Sequence, residues 1–62
     1  MNNVTKAIAA ANRANTAGLL VRVGEQCNGD HSCLVCIAEE HSEQEGDYAV
    51  LIDALETEFP DQ

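Results

Sequence analysis

A chain of 62 residues is long enough for one small domain and too short to enclose a deep enzymatic cleft. Eleven acidic residues against three basic ones give a formal net charge of −8, which disfavours direct binding to nucleic acid or to an anionic membrane. The apolar runs are far shorter than a membrane span and no export signal opens the chain, so we expect one compact domain, residues 1–62, in the cytoplasm.

The first segment, residues 3–17, has apolar side chains every three or four positions, which predicts an α-helix. Asn2 or Asn3 is a suitable N-cap residue, because a short polar side chain can accept a hydrogen bond from the first turn. Gly18 stands where a glycine commonly ends a helix in the left-handed conformation.

The middle of the chain changes to an alternating pattern, which predicts two antiparallel strands at residues 19–26 and 33–39. Residues 27–32 contain an Asn-Gly pair and would form the turn between them. One face of this hairpin would be apolar and uncovered, which indicates a second helix, a partner or a homodimer there. That uncovered face would contain Leu20, Leu34, Cys36 and Ala38.

The last segment begins with Ser-Glu-Gln-Glu at residues 42–45, a match to a capping box, and continues as a helix over residues 47–59 that Pro60 ends. A third strand at residues 48–52 is the alternative. The predicted fold class is therefore α+β, with an N-terminal helix, a two-stranded or three-stranded antiparallel sheet and a C-terminal helix.

Three cysteines and two histidines have the residue types of a zinc site. Residues three apart on a strand point to opposite faces, so we expect buried thiols, with no metal and no cofactor. A zinc site and a Cys27–Cys33 disulfide remain the alternatives. Because the thiols have acidic neighbours, which disfavour a reactive thiolate, we expect no enzyme. The residues considered are Cys27, His31, Cys33, Cys36 and His41.

The acidic residues are the strongest functional signal, because residues 1–24 carry a charge of +3 and residues 25–62 a charge of −11. Such a field attracts basic protein surfaces, and helical carboxylates three or four positions apart could imitate a row of phosphates. We expect binding to the basic DNA-binding surface of a protein or nucleoprotein complex. The predicted partner-binding residues are Glu39, Glu40, Glu43, Glu45, Asp47, Asp53 and Glu56.

The opening Met-Asn-Asn-Val-Thr-Lys-Ala-Ile, the small size, the acidity and the predicted layout resemble the small phage-encoded anti-CRISPR proteins of the type I-C group. The resemblance implies an inhibitor that acts as a double-stranded DNA mimic in the bacterial host cell. The implied target is the Cas8-type subunit of the Cascade complex, where the protospacer-adjacent motif (PAM) is read. The alternative is a zinc-stabilised or homodimeric adaptor for protein interactions.

Overall fold

The structure is a computed structural model that describes residues 2–21, 27, 29 and 31–60. It contains three α-helices, α1 (Asn3–Thr16), α2 (Leu34–His41) and α3 (Asp47–Glu58), and each packs against the other two. Within the described ranges no residue lies in a strand. The regular structure of the described residues is therefore all-helical, and the predicted α+β fold with its antiparallel sheet is wrong.

Helix α1 confirms the prediction for residues 3–17 to within one residue. The side-chain oxygen of Asn2 accepts a hydrogen bond of 2.8 Å from the backbone N–H of Thr5, as an N-cap does. At the other end Gly18 has a φ of +75°, and its N–H donates to the carbonyl of Asn15. The next N–H also donates back into the last turn, which completes a Schellman motif.

Helix α2 replaces the predicted strand at residues 33–39. Cys33 is its N-cap residue, and the Cys33 sulfur accepts a hydrogen bond of 3.4 Å from the N–H of Cys36. A short apolar run is compatible with either a strand or a buried helix, and here the helical spacing buries the side chains best. Of the predicted strand at residues 19–26, residues 19–21 have no regular structure and the others lie outside the described residues.

Helix α3 confirms the second helical prediction, but it does not begin with a capping box. Gly46 precedes the helix with a φ of +94°. The Asp47 carboxylate then accepts hydrogen bonds of 3.1 Å from the backbone N–H groups of Glu43 and Gln44. The first side chain of the helix therefore organises the preceding loop, and the predicted capping box of residues 42–45 is wrong.

The core lies between the three helices, and alanines let them approach closely because they project only a methyl group. Leu34, predicted on the uncovered face of a hairpin, is fully buried, and so is Ala38. Leu20 and Cys36, the other two residues of that predicted face, are half-buried, so the face does not exist as the continuous uncovered surface that suggested a homodimer. The core consists of Ala7, Ala11, Leu34, Ile37, Ala38, Leu51, Leu55 and Phe59.

Among the residues that the structure describes, none of the three helices has the length and hydropathy to cross a membrane. The principal dimensions are 27 × 20 × 19 Å.

Candidate functional site

The predicted partner-binding acids lie on three consecutive parts of the chain: the end of α2, the loop after it, and α3. Six of the seven are exposed, and Asp47 is half-buried. The exposed residues are Glu39, Glu40, Glu43, Glu45, Asp53 and Glu56.

Asp47 differs from the others because it already holds the loop before α3 through two backbone hydrogen bonds. Both bonds end on the same carboxylate oxygen, Oδ2. A carboxylate has about four lone-pair positions, so these two bonds leave it able to accept from a cationic partner as well. The structural role was not visible in the sequence, which showed Asp47 as one more acid in a dense run.

The basic residues do not neutralise this surface from within the described part of the chain. Lys6 and Arg13 are exposed on α1. Within residues 2–21, 27, 29 and 31–60, neither forms an ion pair with a carboxylate. Arg22 lies outside the described residues. The exposed carboxylates of α2, α3 and their connection are therefore available to a partner.

The outer side of α3 combines charge with apolar surface. Val50 is 59% exposed, and Ala49 beside it is exposed as well. Asp53 and Glu56 share this side of the helix, where residues three apart stand roughly 5–6 Å from each other. Ala54, the other alanine of α3, is half-buried.

A groove of about 430 Å³ lies between the N-terminal end of α1 and the start of α3. Two of the predicted acids line it, and the exposed Val50 forms part of its apolar side. Sequence reasoning missed this groove, because it arises from the packing of two helices far apart in the chain. Its lining is Asn2, Asn3, Val4, Glu43, Gln44, Asp47, Val50 and Leu51.

A second candidate site is the group of three cysteines at the N-terminal end of α2. The sulfur atoms of Cys27, Cys33 and Cys36 all lie within 4.8 Å of one another, and all three are free thiols. The Nδ1 atom of His31 is 3.9 Å from the Cys36 sulfur. His41 is the last residue of α2. It lies about 7.5 Å from Cys36 along the helix axis, so it stands apart from this group.

The cysteines come together because the predicted strand is a helix. Cys33 at the N-cap and Cys36 in the first turn are three residues apart, a spacing that places side chains on one side of a helix. The expectation that Cys33 and Cys36 point to opposite faces assumed a strand, and in the helix it is wrong. Upstream, Gly29 with a φ of +98° and His31 with a φ of +56° are both left-handed.

The thiols differ in acidity because they differ in hydrogen bonding. The backbone N–H of Gly29 lowers the pKa of the Cys27 thiol to about 7, with a smaller contribution from the N–H of His31 and partial burial acting against both. The side chain of Cys33 raises the pKa of the Cys36 thiol to about 12, and partial burial acts in the same direction. Cys27 is therefore a more acidic thiol than Cys36.

The chain was also compared with known proteins. No protein-family model, no curated protein and no solved structure matches it. Both candidate sites therefore rest on the residues of this chain, their charges and their geometry.

Proposed function

We propose that the protein is a non-enzymatic inhibitor that presents its acidic surface in place of double-stranded DNA and so blocks a DNA-binding site. The observation that carries this proposal is the charge of −11 over residues 25–62, a segment without any lysine or arginine. The exposure of the acids on α2, α3 and their connecting loop supports it, since a partner can reach them.

Solubility alone is a weaker explanation of this charge. A moderate net charge keeps a small protein dispersed, but a large unpaired charge destabilises the compact state through self-repulsion. A 62-residue domain has little stability to lose. An interaction with a basic partner explains why so many like charges are retained.

The dimensions of the molecule suit a short stretch of duplex. Phosphates of one DNA strand follow each other about every 3.4 Å along the axis, so the 27 Å length of the protein corresponds to about eight base-pair steps. Asp53 and Glu56 on α3 provide carboxylates at a separation of similar order to neighbouring phosphates. Lysines and arginines arranged to contact a DNA backbone would meet negative charge at comparable intervals.

The groove at the start of α3 offers a place for one such basic side chain. Glu43 and Asp47 supply negative charge there, and Val50 supplies apolar surface. Lysine and arginine have apolar stems that pack on such surface while their charged ends reach carboxylates. The groove would thus anchor one cation of the partner, and the acids around it would contact others.

The target that we propose is the Cas8-type subunit of a type I CRISPR Cascade complex, at the region that reads the PAM. The choice of target rests on the resemblance to the type I-C anti-CRISPR proteins, and the mode of binding rests on charge. The protein would act in the cytoplasm of the bacterial host, would carry out no reaction of its own and would bind no nucleic acid.

Matched charge reversals test the proposal. Glu43→Lys and Glu56→Lys each change the net charge by two at the proposed surface. Glu58→Lys makes the same change outside the proposed set, on another exposed glutamate of α3. Binding to purified type I-C Cascade is measured directly and in competition with duplex DNA that contains the PAM. We expect Glu43→Lys and Glu56→Lys each to bind more weakly than Glu58→Lys, which should bind nearly as the parent does. The double variant Glu43→Lys/Glu56→Lys should bind at least about tenfold more weakly than the parent.

Two results would refute the proposal. One is a double variant that still binds and inhibits Cascade as the parent does, while circular dichroism shows that it is folded. The other is simultaneous binding of the protein and PAM-containing duplex to the same complex.

A further inference from the structure

The cluster of three cysteines at the start of α2 has no role in the proposed function, and it shares no residue with the groove. We propose that Cys27, Cys33, Cys36 and His31 together bind one zinc ion. The ion would join Cys27 and His31 to the first turn of α2 and would have a structural role, since four protein ligands leave no position for a substrate.

The distances are close to those of a tetrahedral zinc site. With Zn–S bonds of about 2.3 Å and Zn–N bonds of about 2.0–2.1 Å, two ligand sulfurs stand about 3.8 Å apart and a sulfur and a nitrogen about 3.6 Å apart. The three sulfurs here lie within 4.8 Å of one another, and the His31 nitrogen is 3.9 Å from the Cys36 sulfur. The sulfurs therefore have to approach each other by at most about 1 Å. The imidazole of His31, which is close to the Cys36 sulfur but is not within 4.8 Å of all three sulfurs, has to turn towards Cys27 and Cys33 as well.

The surroundings of the sulfurs are those of thiolate ligands. Cys33 accepts a hydrogen bond from the backbone N–H of Cys36, and the backbone N–H groups of Gly29 and His31 lower the pKa of the Cys27 thiol. Such donors spread the negative charge of a metal-bound thiolate and fix its orientation, as outer-shell contacts do at metal sites generally. Cys33 is buried, and Cys27 and Cys36 are half-buried, so the site has restricted access to water.

The backbone before α2 gives an independent indication. His31 has a φ of +56°, a conformation that few residues other than glycine adopt. Such conformations persist where surrounding interactions enforce them, and they concentrate at functional sites. Here the left-handed turn at His31 accompanies an imidazole nitrogen 3.9 Å from the Cys36 sulfur, which a ligand role explains.

Zinc also suits the size of the protein. Domains of this length often depend on a metal or a disulfide, because their apolar cores are small. A set of three thiolates and one imidazole is a common structural zinc site, and zinc favours this mixture of sulfur and nitrogen ligands over the oxygen-preferring cations. Because the ligands would be assembled only in the folded chain, binding of the ion would stabilise the fold.

The first experiment measures the metal in the protein as purified. The full chain is produced in zinc-containing medium and isolated under reducing conditions without a chelator. We expect one zinc ion per chain by elemental analysis. After exchange with cobalt we expect the visible bands of a tetrahedral ion and an intense near-ultraviolet sulfur-to-metal band. A strong chelator should lower the melting temperature, and added zinc should restore it.

The second experiment uses variants that remove a ligand and leave the local backbone intact. Serine is a better N-cap than cysteine, so Cys33→Ser keeps the start of α2. Asparagine tolerates the left-handed conformation, so His31→Asn keeps the turn. We expect Cys33→Ser to lose stoichiometric zinc after gel filtration, and His31→Asn to lose the tetrahedral cobalt spectrum. The control His41→Asn should change neither.

Several results would overturn the inference. One is a folded protein with no zinc that gains no metal on titration and whose melting temperature a chelator does not change. Another is stoichiometric zinc that survives in Cys33→Ser, or an unchanged cobalt spectrum in His31→Asn. A Cys27–Cys33 disulfide in the protein isolated under reducing conditions would also overturn it. None of these results bears on inhibition of Cascade, so the two proposals can fail separately.

Discussion

Asp47 is the residue at which structural and proposed binding roles meet. Its carboxylate accepts two backbone hydrogen bonds from the preceding loop, and it also lies in the first turn of α3, where negative charge is favourable. Removal of this side chain should therefore lower stability as well as negative charge. We expect Asp47→Ala to reduce the free energy of unfolding by about 1–2 kcal/mol, because hydrogen bonds to a carboxylate contribute on that order.

Glu45 provides the matched control for this prediction, because it is exposed, lies two residues earlier and carries the same charge. Glu45→Ala should change the free energy of unfolding by less than about 0.5 kcal/mol, as surface substitutions commonly do. Urea denaturation of the two variants and the parent measures the difference. Equal stabilities for Asp47→Ala and Glu45→Ala would show that the two hydrogen bonds contribute nothing to the fold.

At the scale of the elements, α2 is where sequence reasoning and structure differ, and the two arrangements predict different core residues. In the predicted strand, Val35 points inwards and Leu34 outwards. In the helix Leu34 is fully buried and Val35 is half-buried. We expect Leu34→Ala to lower the free energy of unfolding by about 2–5 kcal/mol and Val35→Ala by about 1 kcal/mol. Chemical denaturation measures both, and the reverse order would favour a strand.

The reason for the different outcomes at α1 and α2 is local chemistry at their ends. Asparagine is common at the start of a helix and glycine just after its end, so Asn2 and Gly18 allowed the bounds of α1 to be predicted from the sequence. The N-cap of α2 is Cys33, whose sulfur is an unusual cap, so nothing in the sequence marked the start of a helix there. Val35 and Ile37 are β-branched and raised the strand propensity, and only packing against α1 and α3 decides for the helix.

At the scale of the whole molecule, the two candidate sites differ in how far the sequence predicts them. Charge can be counted, so the exposure of the acids other than Asp47 could be predicted from the sequence, whereas the half-buried position of Asp47 and its two backbone hydrogen bonds could not. The groove beside Glu43 and Asp47 depends on how α1 packs on α3, which no local pattern encodes. The cysteines and histidines of a zinc site were visible in the sequence. The wrong prediction of a strand, however, placed Cys33 and Cys36 on opposite faces, whereas the helix brings them to the same side.

The net charge of −8 makes a prediction about stability that concerns no single residue. The Debye length falls from about 10 Å at 0.1 M salt to about 3 Å at 1 M, so added salt screens repulsion among the carboxylates. We expect the melting temperature to rise by several degrees between low salt and 0.5 M sodium chloride, since about 1 kcal/mol corresponds to roughly 4–8 °C in a domain of this size.

Binding to Cascade should respond to salt in the opposite direction, because the same screening weakens attraction between the acidic surface and a basic partner. We expect the dissociation constant to rise by at least about tenfold over the range in which the melting temperature increases. The double variant Glu43→Lys/Glu56→Lys, whose net charge is smaller in magnitude by four, should show less of both effects. If neither the melting temperature nor the dissociation constant changes with salt concentration, the excess of carboxylates does not affect the stability of the fold or the binding of the partner. If added salt raises the melting temperature and weakens binding to Cascade, the charge that destabilises the free protein is also the charge that the partner binds.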